Sequence, residues 1–183
     1  MPELLPQTYL LGLIVLLAVV AVVVGRQILR VWREEATLAR LGGNDPSGSA
    51  PPDSTGLYEL ASVQLRKRLY GQAIDNLRKA LKQAQAEGAP ADAVALIENA
   101  LGFSHAAQNR FAVAIRHYRA ALRARADYPV ALNNLAFALE KEGKADEARS
   151  SYEQVLGLDP ANRTARRGLR KLERRRDRTA PAA

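Results

Sequence analysis

Ala131-Leu132-Asn133-Asn134-Leu135-Ala136, with Gly143, Ala148, Tyr152, Val155 and Asp159-Pro160 after it, has a counterpart thirty-four residues upstream. Asn134-Leu135-Ala136 answers to Ala100-Leu101-Gly102, Gly143 to Asn109, Ala148 to Ala114, Tyr152 to Tyr118, Val155 to Ala121 and Asp159-Pro160 to Arg125-Ala126. Large stays large and small stays small over a whole period without a gap, which is the signature of stacked helical hairpins. A weaker third copy precedes these two. Leu60-Ala61, Ala73, Leu77 and Ala80 keep the same mutual spacing, and seven extra residues, Gly88 to Val94, separate this copy from the next.

The spacing has a packing cause. Two helices approach closely only where small side chains meet, so Ala61, Gly102 and Ala136 on the first helices are expected to face Ala73, Ala114 and Ala148 on the second. Leu60, Leu101, Leu135, Leu77, Tyr118 and Tyr152 then fill the space beside these crossings. Gly143 ends a helix, and Asp159-Pro160 separates the third hairpin from the last helix. The pattern is identified as a tetratricopeptide array, with repeats at 54–87, 95–128 and 129–162. It departs from the usual motif where Leu57, Glu98 and Leu132 replace an early aromatic. Asn162 is placed to cap a final helix from Arg163, with Ala165, Gly168, Leu169 and Leu172 turned inward, as the end of a solenoid requires. The expected fold is all-α: an N-terminal transmembrane helix, a three-repeat solenoid, and a basic capping helix and tail at 163–183.

The apolar segment comes first in the chain. From Leu4 to Gly25 no residue is charged, and Tyr9 to Val24 is almost wholly Leu, Ile, Val and Ala. A helix over 6–25 is about 30 Å long, the thickness of a bilayer's hydrocarbon layer. A cleaved leader would carry positive charge ahead of its apolar centre; here Glu3 precedes the run, and Arg26, Arg30 and Arg33 come after it. Those arginines hold the rest of the chain on the cytoplasmic or stromal side, since Lys and Arg resist translocation. We assign 1–33 to the anchor and juxtamembrane segment and 34–53, rich in Gly, Pro, Ser and Asp after Leu41, to a flexible tether.

The 183 residues contain no cysteine, which excludes disulfides, thiolate metal sites and a cysteine nucleophile. The net charge is +8, and Arg163 to Arg178 holds nine Lys and Arg against two acids, leaving the remainder near neutral. His105 and His117 are the two histidines, and no HExxH, nucleophile elbow or phosphate-binding glycine loop is present. His105 falls where an aromatic normally packs, so it reads as structural. The chain is expected to be neither an enzyme nor a cofactor carrier.

An array of this kind offers a concave surface made by its first helices. Its exposed positions are expected to include Tyr58, Leu96, Asn99, Phe103, Val130, Asn133, Phe137 and Glu140. This lining is apolar with amides, unsuited to the acidic tails that clamp-type arrays grip through Lys, Arg and Asn. Phe103 and Phe137, one repeat apart, either anchor an apolar partner or pack against neighbouring helices. Arg166, Arg167, Arg170, Arg174, Arg175 and Arg176 are either a solvated cap or a contact for anionic lipid; nucleic acid ranks last, because no aromatic is interleaved with them.

From the apolar segment to Arg175 the arrangement resembles the membrane-anchored tetratricopeptide assembly factors for photosystem I in cyanobacteria and plastids. The resemblance rests on Asn99-Ala100-Leu101-Gly102-Phe103, 131–136, Glu140-Lys141-Glu142-Gly143 and Leu158-Asp159-Pro160-Ala161-Asn162-Arg163-Thr164-Ala165. It implies a non-catalytic thylakoid scaffold whose partners are photosystem I subunits or assembly intermediates. The span starts near Met1 without an Arg- and Ser-rich leader, so a cyanobacterial or plastid-encoded origin is expected over a nuclear one. The rivals are a generic bacterial inner-membrane scaffold, and a lipid- or nucleic-acid-binding accessory acting through the basic C-terminal helix.

Overall fold

A computed structural model describes residues 4–41 and 53–179, and among these all regular structure is helical. They form two units.

The first is a single helix, α1 (Leu4–Leu41). Within it Leu11–Arg33, 23 residues, is long and apolar enough to cross a membrane and is not buried in protein. This stretch runs past the 6–25 expected from sequence because Ile28, Leu29, Val31 and Trp32 prolong the apolar surface beyond Gly25. The tether begins later than expected. Residues 34–41 are helical, since Glu34-Glu35-Ala36 and Leu38-Ala39-Arg40-Leu41 are good helix formers and Gly and Pro start only at Gly42. The rest of the proposed tether, 42–52, lies outside the described residues, and Asp53 is already the N-cap of the next helix, its Oδ1 accepting from Gly56 N at 2.7 Å.

The second unit has three hairpins: α2 (Ser54–Arg66) with α3 (Tyr70–Ala86), α4 (Ala91–Ala107) with α5 (Phe111–Ala124), and α6 (Pro129–Lys141) with α7 (Ala145–Leu158). α8 (Arg163–Thr179) closes the end. Each helix packs on the next in the chain, and α2, α4, α6 and α8 also touch one another in turn. The first helices therefore make a continuous inner layer, with α3, α5 and α7 outside.

The turn inside each hairpin is the same device. Arg68, Asn109 and Gly143 all have positive φ, at 60°, 59° and 75°. The next amide in each case reaches back to the helix: Leu69 N to Gln64 O at 2.8 Å, Arg110 N to His105 O at 2.9 Å and Lys144 N to Leu139 O at 2.9 Å. This six-to-one bond satisfies a terminal carbonyl and turns the chain. Glycine adopts that conformation freely and Asn tolerates it, whereas Arg68 bears the Cβ penalty. Arg68→Gly is expected to raise stability by about 1 kcal/mol, seen as a higher midpoint in thermal or urea unfolding.

The connections between hairpins explain the seven extra residues. The stretches 87–90, 125–128 and 159–162 joining α3 to α4, α5 to α6 and α7 to α8 are equally long. The insertion has gone into the helices: measured against α5 and α6, α3 runs three residues further and α4 starts four residues earlier. Gly88, at φ +65°, turns between them in the manner of Gly143.

The small-residue crossings are closed. Ala61, Ala73, Ala114, Ala136 and Ala148 are fully buried, as are Leu77 and Leu101. Each buried leucine contributes roughly 2 kcal/mol through removal of apolar surface from water. Size is matched by register. The first repeat sets Ala61 with Leu77, while the second sets Gly102 with Tyr118, and a Cβ on Gly102 would lie 2.6 Å from the Tyr118 ring. In the third, the Tyr152 ring fills the place a Cβ on Gly168 of α8 would take. At the start of α8, Asn162 Oδ1 accepts from Ala165 N at 3.1 Å, with Ala165, Gly168 and Leu172 buried beneath.

Candidate protein-binding site

The inner layer exposes an apolar row: Leu96 and Phe103 on α4, Val130 and Phe137 on α6. Tyr58 on α2 is half-buried and packs against the first hairpin's core. It lies close enough to Tyr128 to help burial raise that phenol's pKa, against the opposing pull of Arg125, whose guanidinium carbon stands 4.0 Å over the Tyr128 ring, and of the hydrogen bond with Asn99.

Phe137 packs within the array without being covered by it. Its ring meets Phe111 edge-on at 6.2 Å and carries Lys141 Nζ at 5.4 Å, yet it remains well exposed. The amides are engaged within the array rather than free donors, and one of them joins two repeats. Asn134 Nδ2 donates to Asn99 Oδ1 at 3.1 Å, Asn99 Nδ2 to Tyr128 Oη at 3.4 Å, and Asn133 Nδ2 to Asn162 Oδ1 at 3.3 Å. The surface left to a partner is therefore more apolar than the sequence suggested.

Glu140 does not belong to the groove. It is buried, accepting from Tyr152 Oη at 2.8 Å and from Lys171 Nζ of α8 at 2.5 Å. A buried carboxylate needs such partners. This one ties α6 and α7 to the cap, and together with burial it raises the pKa of Tyr152. Spacing placed Glu140 on the inner face, but the length of a glutamate side chain lets it turn back toward α8.

The second hairpin replaces aromatics with an imidazole pair. His105 is fully buried, and its ring stacks on that of His117 at 5.3 Å and 7°. His117 Nδ1 lies 2.7 Å from Glu98 Oε2, so Glu98, at the site of the missing early aromatic, has a polar partner. Neither ring nitrogen of His105 has a hydrogen-bond partner in the protein. Burial first, then His117, Arg110 and Arg78, lower its pKa to about 4. Among the described residues no cluster of three or more His, Asp or Glu is arranged to hold a metal.

Arg166, Arg167, Arg170, Arg174, Arg175 and Arg176 are all exposed on α8. Arg166 Nη2 donates to Pro160 O at 2.6 Å, and Arg175 and Arg176 border a cleft with Gly143, Asp146, Arg149 and Leu172. Sequence reasoning missed a second basic region, the outer faces of α3 and α5. Its signal was there: Arg78 and Lys82 sit at the same offset from Arg119 and Arg123 as Leu60 does from Leu101.

Stacked hairpins with an apolar inner row define a tetratricopeptide scaffold, a class that binds segments of other proteins. The tetratricopeptide repeat family model matches residues 105–172. The ycf37 protein of Guillardia theta is 31% identical over 166 residues, covering 90% of each chain, and this chain belongs to the ycf37 family. The chloroplastic tetratricopeptide repeat domain-containing protein PYG7 of Arabidopsis thaliana is 33% identical over 87% of this chain, which spans 51% of that longer protein. Among solved structures, the first tetratricopeptide domain of Spaghetti (RPAP3), bound to the HSP90 peptide SRMEEVD, superposes with a TM-score of 0.63. It covers 68% of this chain and 94% of that one at 24% identity, a likeness of fold.

Proposed function

We propose that the chain is a single-pass thylakoid protein that holds photosystem I subunits or assembly intermediates on its inner helix layer. The observation that carries this is the exposed row Leu96, Phe103, Val130 and Phe137 on adjacent first helices. Apolar side chains in a concave layer suit a hydrophobic or amphipathic segment of another protein. α1 supports the anchor through its length and composition. Arg26, Arg30 and Arg33 support a cytoplasmic or stromal placement of the repeats. The chloroplastic relative supports the photosynthetic setting. Confinement to a membrane plane raises the effective concentration of both partners, so a weak groove suffices. RPAP3 holds an acidic peptide, whereas the exposed row here is apolar, which favours a different ligand chemistry.

The test is Phe103→Ala combined with Phe137→Glu in the full-length protein. Co-purification of photosystem I subunits from photosynthetic membranes is expected to fall at least about tenfold, the loss of a typical aromatic anchor, with circular dichroism unchanged. Undiminished co-purification by the folded variant would refute the groove assignment.

A further inference from the structure

We propose that the outer faces of α3 and α5 are a docking surface for the anionic headgroup layer of the membrane. The near-neutral sum of the repeat region conceals a separation of charge. The first helices carry as many acids as bases or more: Glu59 and Arg66 on α2, Asp92 and Glu98 on α4, Glu140 and Lys141 on α6. On the outside, α5 has Arg116, Arg119 and Arg123 with no acid, and α3 has Arg78, Lys79 and Lys82 against Asp75 alone. All six cations are exposed. Arg116, Arg119 and Arg123 form a helical stripe, and with His117 and Glu98 they border a shallow cleft.

Register makes this a surface rather than scattered charge. Arg78 and Arg119 hold one position of the repeat and Lys82 and Arg123 another, and in the third repeat these become Glu153 and Gly157. Like charges three and four residues apart repel on a helix, so such a stripe is destabilising without a counter-charge. Arg119 finds one in Glu147 of α7 at 2.5 Å, which marks where the basic face ends.

The chain's own chemistry indicates the occupant. This inference rests on the reading of α1 as a membrane span, since a span on the same polypeptide keeps the repeats within reach of a headgroup layer. Lys and Arg held near an anionic surface are each attracted to it, and six on one face add up. Among these cations Tyr118 is buried and the His117 ring is stacked on His105 and bonded to Glu98, so single-stranded nucleic acid would lack a free stacking platform. Docking by α3 and α5 leaves the inner layer facing away from the lipid, open to protein partners.

The chain lacks cysteine, so single labelling sites are clean. Full-length protein carrying Ala112→Cys on α5, or Lys141→Cys on the inner layer, is labelled with a donor dye and reconstituted into vesicles containing headgroup-tagged acceptor lipid. Compared with zwitterionic vesicles, about one-third phosphatidylglycerol is expected to raise energy transfer severalfold from position 112 and little from 141. The rise should vanish at about 0.5 M salt. It should also vanish in Arg78→Glu/Lys82→Glu/Arg116→Glu/Arg123→Glu and in the matching glutamine variant, both checked for native helicity. Transfer independent of lipid charge, loss of the rise only on neutralising Arg174, Arg175 and Arg176, or preferential capture of duplex DNA would each overturn the proposal. Flotation reports α1 independently. Protein that fails to float with zwitterionic vesicles but still responds to anionic ones would overturn the anchor and leave this surface standing.

Discussion

Gly102→Val is expected to destabilise the repeat domain by about 3 kcal/mol, the upper end of what overpacking a closed core costs. A Cβ at this position lies 2.6 Å from both Tyr118 Cδ1 and Cε1, and the Tyr118 ring is buried, with no solvent into which it can swing. Since domains of this size hold only about 5–15 kcal/mol in reserve, the loss is a large share. Urea denaturation monitored by circular dichroism measures it directly. The sharper form of the experiment uses the first repeat as a guide, because that repeat fills the equivalent crossing with Ala61 and Leu77. Gly102→Ala alone is expected to cost about 2 kcal/mol, and Tyr118→Leu alone about as much through the cavity it leaves. Together they rebuild the first repeat's solution, and alanine recovers about 1 kcal/mol of helix propensity over glycine. A coupling energy of about 2 kcal/mol is therefore expected in the double-mutant cycle. Strict additivity would show that the crossing relaxes independently of the ring.

That cycle also shows why the fold was legible. A thirty-four-residue period fixes which side chains must be small, and Ala61, Ala73, Gly102, Ala114, Ala136 and Ala148 occur where two helix axes have to approach. Asn162 was readable as a cap because only the chain before it and the apolar face after it mattered. Glu140 was not readable. Its register points inward, but a long carboxylate side chain and the arrival of Lys171 from α8 decided its direction, and that is a tertiary fact. Register puts Asn99 and Asn133 on first helices, while their hydrogen bonds to Tyr128 and Asn162 depend on how the connection after each hairpin folds back. The seven-residue insertion shows in the sequence as a break in period, yet its absorption into α3 and α4 is visible only from the helix ends themselves. The photosystem setting was suggested by resemblance, and the apolar row on the inner layer is the physical feature through which it can be tested.

Acid should weaken the second hairpin through His105, and replacing this residue should remove that sensitivity. The folded pKa of about 4 lies below the ordinary histidine value of 6.5 because the fully buried ring sits against His117, with Arg110 from the turn and Arg78 from α3 adding positive potential. Glu98 is the carboxylate at this cluster, and it is occupied by His117. Above pH 6.5 the imidazole is neutral in both states and contributes nothing to pH dependence. Between 6.5 and about 4 the unfolded chain binds a proton that the folded one refuses, so unfolding becomes progressively easier as pH falls. At about 1.36 kcal/mol per unit, the loss amounts to about 3 kcal/mol by pH 4. Carboxylates titrate over part of the same range, so the informative quantity is a difference between proteins. His105→Phe returns an aromatic to an aromatic slot, and His105→Leu serves if the larger ring fits poorly. Either variant is expected to match or exceed the parent at pH 7 and to lead it by about 3 kcal/mol more at pH 4, in urea midpoints taken across that interval. Parallel pH profiles for parent and variants would mean that folded and unfolded chains bind the His105 proton equally, and would overturn this assignment.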